Sequence, residues 1–203
     1  MTDGKGVLVV GELTDGGIAS ITGELLGVGR RLADALGEEL SAVFLGVGIG
    51  DTAQGAFAQG ADRVYTADSP VLKVYQPEFY AHVVEKVCRD LAPNVLIMGA
   101  TPLGRDLAPR LAWRLQSGLA SECLDLNIDS ETRALIATRP VYGGKALAEV
   151  ECGAARPAMA TVRAKSQKPV APDTSRRGEV ISFDVDIDPA IAKTRIVGSV
   201  TVE

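Results

Sequence analysis

Short apolar runs alternate with amphipathic stretches through the first two thirds of the chain. Nearly continuous apolar runs of this length are typical of strands that are covered on both faces. They predict strands at 7–10, 42–47, 63–66 and 95–98. Apolar residues recur at helical spacing between these runs. Strands that alternate with helices need crossover connections, so the predicted fold class is α/β, with three layers and a mostly parallel central sheet.

Glycine, proline and aspartate mark the expected ends of the helices. Gly37 is placed to stop the first helix, Asp51 to cap the N-terminus of the second, and Gly60 to close the second. Pro77 and Pro93 bracket the third helix, because proline is tolerated in a first turn and prevents continuation at the other end. The apolar stripe of the first helix is formed by Ile21, Leu25, Val28, Leu32 and Leu36.

The pattern changes after residue 121. Strand-like segments at 134–138, 146–152 and 159–162 follow one another, and the Gly143-Gly144 pair is a hairpin signal between the first two. The stretch 165–178 is rich in proline and charge, which is typical of a linker. Polar and apolar residues then alternate over 179–187 and 194–202. We therefore expect an α/β domain over 1–163, a linker over 164–178 and a strand-rich C-terminal arm over 179–203.

Composition restricts the function classes. The chain has 203 residues, 46% of them hydrophobic, and a formal net charge of −5, which indicates a globular protein without the basic surface that nucleic acid or an anionic membrane requires. No apolar run is long enough to span a bilayer, and the N-terminus lacks a signal-peptide pattern, so we expect a cytoplasmic location. The three cysteines are far apart in sequence and are expected to be reduced, buried thiols.

Three turns follow predicted strands and are candidates for ligand contact. They are "GELTDGG" at 11–17, "GVGIGD" at 46–51 and "GATPLGRD" at 99–106. Ligands of open parallel sheets bind at the carboxyl ends of strands, which is where all three turns lie. The first two turns lack the spacing of a phosphate-binding loop, which favours an ordinary turn function for them.

The third turn leads into a helix that contains Pro109. If Asp106 caps this helix, Pro109 lies in the first turn, where its missing N–H costs little. The carboxylate of Asp106 would then use the free amides and repel phosphate, which favours a structural cap. The candidates for cofactor contact in this turn are Thr101, Gly104 and Arg105, and Arg105 is best placed to reach a ligand or partner.

Catalytic and metal-binding patterns are not found in the sequence. His82 is the only histidine, and its position in a helix beside apolar residues favours a packing or surface role over general-base catalysis. No nucleophile elbow and no clustered metal ligands occur. We therefore expect a non-catalytic subunit or domain without a metal site.

Three stretches together resemble the N-terminal domain of the electron transfer flavoprotein alpha subunit. They are "VLIMGATPLGRDLAPRLAWRLQSGLASECLDLNID", "TRPVYGGKALAEV" and "RPAMATVR", in the order that the family uses. The resemblance implies a Rossmann-like domain of the adenine-nucleotide-hydrolase type. It also implies a heterodimer with a beta subunit of similar fold, the two forming a base for a flavin domain. In this family AMP belongs to the beta subunit.

The resemblance also predicts where the flavin is held. An ordinary alpha subunit has a second domain that carries most of the FAD contacts, and we expect that domain elsewhere in a longer protein or on another chain. FAD is then expected in the assembly and no cofactor on this chain alone. The expected partners are a beta-subunit-like protein, a separate flavin domain, and an acyl-CoA dehydrogenase or other redox enzyme.

Two functions remain after these steps. The first is a scaffold for electron transfer between a dehydrogenase and an acceptor, with partner docking through Arg105, Arg139, Tyr142 and Gly143. The alternative is a free-standing adenine-nucleotide-binding α/β domain, because related folds bind nucleotides at strand ends. The missing phosphate-loop glycines count against the alternative.

Overall fold

A computed structural model describes residues 4–14, 17–184, 186–194 and 196–198. These residues form four α-helices and twelve strands. In chain order the elements are β1 (Val7–Gly11), β2 (Leu13–Thr14), β3 (Gly17–Ile18), α1 (Ser20–Leu36), β4 (Leu40–Gly46), α2 (Thr52–Ala58), β5 (Arg63–Asp68), α3 (Pro77–Leu91), β6 (Val95–Gly99), α4 (Pro102–Leu115), β7 (Leu119–Cys123), β8 (Asp125–Ile128), β9 (Leu135–Val141), β10 (Ala146–Glu151), β11 (Ala158–Val162) and β12 (Glu179–Ser182).

A seven-stranded sheet forms the centre of the molecule, in the order β12-β5-β4-β1-β6-β11-β7. All six neighbouring pairs in this sheet are parallel, which confirms the predicted α/β class. The chain passes from β1 to β4 and β5 on one side, and then to β6 on the other side of β1. The strand order therefore reverses between β1 and β6, which makes their carboxyl ends the switch point where ligands of such sheets bind.

Both faces of the central strands are covered by helices. In β1, Val7 and Val9 pack in the cluster that contains the apolar residues of α1 and α2. Leu8 and Val10 pack in the other cluster, with α3 and α4. Because successive side chains of a strand point to opposite faces, a strand with two covered faces must be apolar at every position. This geometry explains the continuous apolar runs from which the strands were predicted.

The expected ends of the first three helices are mostly confirmed. Gly37 follows α1 in the left-handed conformation, with φ 66°, as a C-terminal glycine stop requires. Helix α3 begins at Pro77 and ends at Leu91. Asp51 occupies the N-cap position of α2, but its side chain makes no capping hydrogen bond. Asp51 therefore lies at the predicted position, but its carboxylate does not cap the helix as expected.

The prediction that Asp106 caps the fourth helix is wrong. Helix α4 begins at Pro102, and the hydroxyl of Thr101 caps it by accepting a hydrogen bond from the amide of Gly104. Pro102 takes the first helical position, where proline is favoured. Pro109 consequently lies in the helix interior. Asp106 lies within α4 and accepts a hydrogen bond from the hydroxyl of Tyr75 at 2.7 Å, which lowers the pKa of its carboxyl group.

A second, antiparallel sheet of order β10-β9-β8 lies beside the main sheet. Strands β9 and β10 form the predicted hairpin. Its turn contains Gly143 at φ 68° and Gly144 at φ 87°, backbone conformations that glycine adopts without steric strain. Strands β7 and β8 were not predicted. They are short, and few of their residues are fully buried, so their apolar pattern is weak.

The C-terminal part of the chain returns to the main sheet. Strand β12 pairs in parallel with β5, with Val180 opposite Val64. The strand predicted at 194–202 lies largely outside the described residues. The assignment of 1–163, 164–178 and 179–203 as domain, linker and arm stays a prediction.

Two other expectations concern thiols and membrane spans. Cys88, Cys123 and Cys152 are free and buried, as expected, and burial raises the pKa of the Cys88 thiol to about 12. Within the described ranges, none of the helices is both long enough and apolar enough to cross a bilayer.

Candidate functional site

A cleft of about 670 Å³ opens at the carboxyl ends of β1 and β4. The turns that follow these two strands line it, so the first two candidate turns share one cavity. Four charged residues determine which ligands this region can bind: Glu12, Asp51, Asp68 and Lys73. Glu12, Asp51 and Lys73 line the cleft itself, and Asp68 at the end of β5 contacts the turn after β4.

The turn after β4 holds an internal carboxylate. The amide of Gly48 donates to Oδ1 of Asp68 at 3.0 Å, and the amide of Ile49 donates to Oδ2 at 3.1 Å. Two adjacent amides that point to one acceptor are the arrangement with which such turns bind phosphate. Here the carboxylate of Asp68 already occupies them. An added phosphate would meet both the occupied donors and a negative charge.

A second internal carboxylate lies at the switch point between β1 and β6. The hydroxyl of Thr101 donates to Oε1 of Glu12 at 2.7 Å. Burial raises the pKa of Glu12, and the hydrogen bond from Thr101 acts in the opposite direction. The backbone of Glu12 is fixed as well, because its amide and carbonyl both bond to the hydroxyl of Thr22 on α1, at 2.7 and 2.8 Å. Glu12 therefore places a carboxyl group at the edge of the sheet where ligands of such folds bind.

The three candidates for cofactor contact have internal partners. Thr101 caps α4 and bonds to Glu12. Gly104 is buried, and a Cβ at this position would meet the carbonyl oxygen of Gly99, so glycine allows α4 to pack on the end of β6. The side chain of Arg105 is 62% exposed, and its Nε donates to Oε1 of Glu122 at 2.6 Å. Their role as cofactor contacts stays a prediction.

The residues of the cleft do not fit a flavin dinucleotide. A bound FAD needs free donors for its pyrophosphate and an apolar pocket for its ring system. In the turn after β4 the donors are occupied by Asp68, and at the switch point the position is occupied by Glu12.

The second feature is an exposed surface on the β9–β10 hairpin, formed by Tyr142, Gly143 and Leu147 and here named the hairpin surface. Tyr142 is 84% exposed and Leu147 63%. Strand β10 is an edge of the small sheet, and an edge strand offers backbone groups for pairing with another chain. Arg139 points to the other face of the hairpin, because Leu147 is opposite Pro140, and its Nε is buried without a hydrogen-bond partner among the described residues.

The structure brings together three of the four predicted docking residues. Arg139, Tyr142 and Gly143 lie on one hairpin, whereas Arg105 lies on α4 and contacts β7 through Glu122. Sequence reasoning missed Glu12, Asp68 and Leu147. Leu147 lies between two alanines in "KALAEV", a pattern that cannot tell which face of the strand is exposed. Glu12 and Asp68 acquire their roles only through contacts between distant segments.

The remaining polar groups do not suggest catalysis. His82 lies partly buried in α3, as the helical pattern predicted. Among the described residues, no group of three or more His, Cys, Asp and Glu side chains is arranged to hold a metal ion.

Comparison with known proteins identifies the family. A family model described as "Electron transfer flavoprotein domain" matches residues 7–188. The chain is 39% identical over 196 residues to the electron transfer flavoprotein subunit alpha of Thermoanaerobacterium thermosaccharolyticum, covering 97% of this chain and 59% of that protein. It is 38% identical over 193 residues to the subunit alpha of Megasphaera elsdenii, with 95% and 57% covered. It is 42% identical over 166 residues to the Protein FixB of Clostridium saccharobutylicum, with 80% and 48% covered.

These matches agree with the resemblance found in the three sequence stretches. The chain spans between about half and three fifths of the length of these relatives. The matched region includes β1 and extends past β12, so it covers the whole main sheet. This chain therefore belongs to the electron transfer flavoprotein family and resembles its alpha subunits.

Proposed function

We propose that this chain is an alpha-type scaffold of an electron transfer flavoprotein assembly, in which FAD is held largely by another domain or another chain. The observation that carries the proposal is the pair of internal carboxylates. Asp68 and Glu12 occupy the two positions where a parallel α/β sheet binds anionic ligands. A domain whose strand ends are closed in this way contributes surfaces to the assembly rather than a dinucleotide site.

A beta-subunit-like protein is the proposed partner, as the family membership suggests. The hairpin surface, Arg105 and Arg139 are the proposed docking residues, because aromatic and arginine side chains are enriched in protein interfaces. A specific heterodimer interface of ordinary size buries about 1,600 Å² in total. AMP, where the assembly contains it, is assigned to the beta-like partner.

The assembly is proposed to carry electrons in the cytoplasm between a dehydrogenase and an acceptor. An acyl-CoA dehydrogenase or another redox enzyme is the proposed donor. This chain contributes no redox group of its own in this proposal. Its role is to orient the flavin-bearing part and the beta-like subunit relative to each other.

The visible absorption spectrum tests where the flavin is held. The chain is purified alone, incubated with excess FAD and desalted. We expect a colourless protein, because the strand-end donors are already satisfied by Asp68. Retention of near-stoichiometric flavin would contradict the scaffold function and would require a second site. Titration calorimetry with AMP, ADP and ATP adds a check, since micromolar affinity would favour the nucleotide-binding alternative.

Co-expression tests the partner. The chain and a beta-like subunit are produced together and separated by size-exclusion chromatography. We expect one co-eluting complex at micromolar concentration. Separate elution of the two proteins at that concentration would rule out stable pairing.

A further inference from the structure

The segment 165–178, whose composition is typical of a linker, contacts α1 at its beginning. The amide of Lys165 donates to Oε1 of Glu24 at 3.0 Å, and the amide of Gln167 donates to Oε2 at 3.3 Å. Glu24 is only 8% exposed. A buried carboxylate costs free energy unless hydrogen bonds satisfy it, and these two backbone donors do so. The segment is therefore tied to the buried side chain of Glu24.

Two glycines of α1 allow the segment to lie directly on the helix. Gly23 and Gly27 are four residues apart and share a helix face. A Cβ at Gly27 would meet the backbone carbonyl of Lys168 and the Cα of Pro169. A Cβ at Gly23 would meet the side chains of Gln59 and Pro169. The two glycines thus form a groove that any side chain would narrow.

The contacts continue to the end of the segment. The amide of Asp173 donates to the carbonyl of Ala58 at the end of α2, at 2.8 Å. Nη2 of Arg176 donates to Oδ1 of Asp62 at 2.7 Å. Gly178 approaches the backbone of Asp62 and the ring of Phe57 so closely that a Cβ would not fit. The segment is therefore held at its beginning, at its middle and at its end.

Sheet topology gives these contacts a consequence. Strand β11 lies between β6 and β7, and β12 lies at the opposite edge of the sheet, beside β5. Residues 165–178 must connect the two, and they do so across α1 and α2. Without the groove, a segment of this composition would take many paths of similar free energy.

We infer that residues 165–178 are a strap that binds in a groove formed by Gly23, Glu24 and Gly27, and that this groove fixes the path by which the chain returns to the far edge of the sheet. The strap opens and closes as one unit while the core stays folded. In a longer alpha-type protein it would fix the point from which the following domain departs, a step that rests on the proposed function. The strap itself is tested without any partner or flavin.

Limited trypsin digestion with mass spectrometry tests the groove. Lys165 is followed by Ser166, so the strap contains a site that trypsin cleaves when the segment opens. In Gly27→Ala the new Cβ displaces the backbone of Lys168, and we expect cleavage after Lys165 to become about tenfold faster, since proteolysis follows local opening. Gly50→Ala is the matched control, because nothing lies within 4 Å of a Cβ there, and its cleavage should equal that of the unaltered chain. Equal cleavage in Gly27→Ala would overturn the inference.

Hydrogen exchange of the unaltered chain keeps the inference testable if Gly27→Ala does not fold. The amides of Lys165, Gln167 and Asp173 should exchange well below random-coil rates, and faster than the amides of β1, because the strap opens while the core stays closed. Exchange of the three amides at random-coil rates would overturn the inference. Exchange at the rate of β1 would also overturn it, since the strap would then open only by global unfolding.

Discussion

Glu12 illustrates how one side chain determines what the switch point of a parallel sheet accepts. Its carboxyl group bonds to Thr101 from α4, and its backbone bonds to Thr22 from α1. Burial favours the neutral form of this carboxyl group and raises its pKa. Because the pKa in the folded state lies above that in the unfolded state, the folded state binds the proton more tightly. The stability that Glu12 contributes is complete below its unfolded pKa and is lost as the pH rises through the folded value.

Replacement of Glu12 by Gln should therefore raise the stability at neutral pH. The amide keeps an oxygen that accepts from Thr101 but carries no charge to bury. Urea unfolding of both proteins between acid and neutral pH should give similar free energies at the acid end and a growing advantage for Glu12→Gln toward neutrality. Glu131→Gln, at an exposed position, is the control and should follow the unaltered chain. A constant loss in Glu12→Gln at every pH would contradict the assigned pKa direction.

Asp62 is the opposite case. Burial disfavours its charge, but hydrogen bonds from the amide of Leu40 and from Arg30 and Arg176 outweigh burial and lower its pKa. The three donors lie 2.7 to 2.8 Å from its carboxylate oxygens. The stability that Asp62 contributes is therefore present above its unfolded pKa and is lost as the pH falls through the folded value.

Asp62→Asn should lower the free energy of unfolding at neutral pH by about 2 kcal/mol, since the amide keeps only one acceptor oxygen, turns an NH2 group toward the remaining donors and removes the charge that pairs with Arg30 and Arg176. The loss should shrink in acid, where the aspartate of the unaltered chain is itself protonated. Asp34→Asn removes a partner of the same Arg30, but the side chain of Asp34 is 67% exposed, so its loss should stay below about 1 kcal/mol. Equal effects of the two substitutions, measured by urea unfolding, would refute the assigned importance of Asp62.

Local sequence rules predicted residues whose roles are local. Gly37 and Gly143 have positive φ, as expected from a helix stop and a hairpin turn. The assignment of Asp106 as a cap was wrong because α4 contains Pro109 in its interior and begins earlier, where Thr101 caps it. Glu12 and Asp68 could not be predicted, because each is defined by groups far away in the sequence.

At the scale of elements, α4 contains an irregular position at its centre. Pro109 has no N–H, so the carbonyl of Arg105 lacks its helical donor. Pro109 is exposed, and its ring therefore disturbs no packing on the core side, where Leu107 and Leu111 are fully buried. The helix accepts this irregularity because its apolar face supplies the stability.

Pro109→Ala should consequently stabilise the chain by about 1–2 kcal/mol, because restoring a helical N–H outweighs the added freedom of the unfolded chain. Pro102→Ala is the matched control within the same helix. Pro102 holds the first helical position, where no intrahelical N–H is needed, so the change should stay within about 0.5 kcal/mol. Thermal and urea unfolding measure both. A clear loss of stability in Pro109→Ala would mean that the proline has a packing or functional role.

Elements also differ in how well the sequence specifies them. The strands of the central sheet were predicted because each covered face adds an apolar residue to the run. Strand β7 lies at the sheet edge, and its "LASEC" includes partly exposed residues, so it resembles a loop. The strap has the composition of a linker but ordered contacts, which need the glycines and Glu24 of α1 as well as its own backbone amides and Arg176.

At the scale of the whole molecule, the fold class follows from the alternation of apolar runs and helices, whereas the function requires the family and the site together. Apolar runs and intervening helices were enough to predict a parallel sheet with two helical layers. The same pattern does not distinguish a nucleotide-binding domain from a scaffold. In the turn after β4 the backbone donors are occupied by Asp68, which favours the proposed scaffold.

The proposed docking face leads to the last prediction, which concerns association with a beta-like subunit. Tyr142→Ala removes an 84% exposed ring and should weaken association about tenfold or more, as loss of an interface aromatic does. Arg105→Ala should also weaken it, while the free energy of unfolding changes by less than about 1 kcal/mol, because the pair with Glu122 is exposed. Val180→Ala is the control. Val180 is 52% exposed on β12, at the edge of the main sheet opposite β7 and outside the proposed face, so titration calorimetry should give unchanged affinity. Weakening by Val180→Ala alone would place the interface at the β12 edge instead.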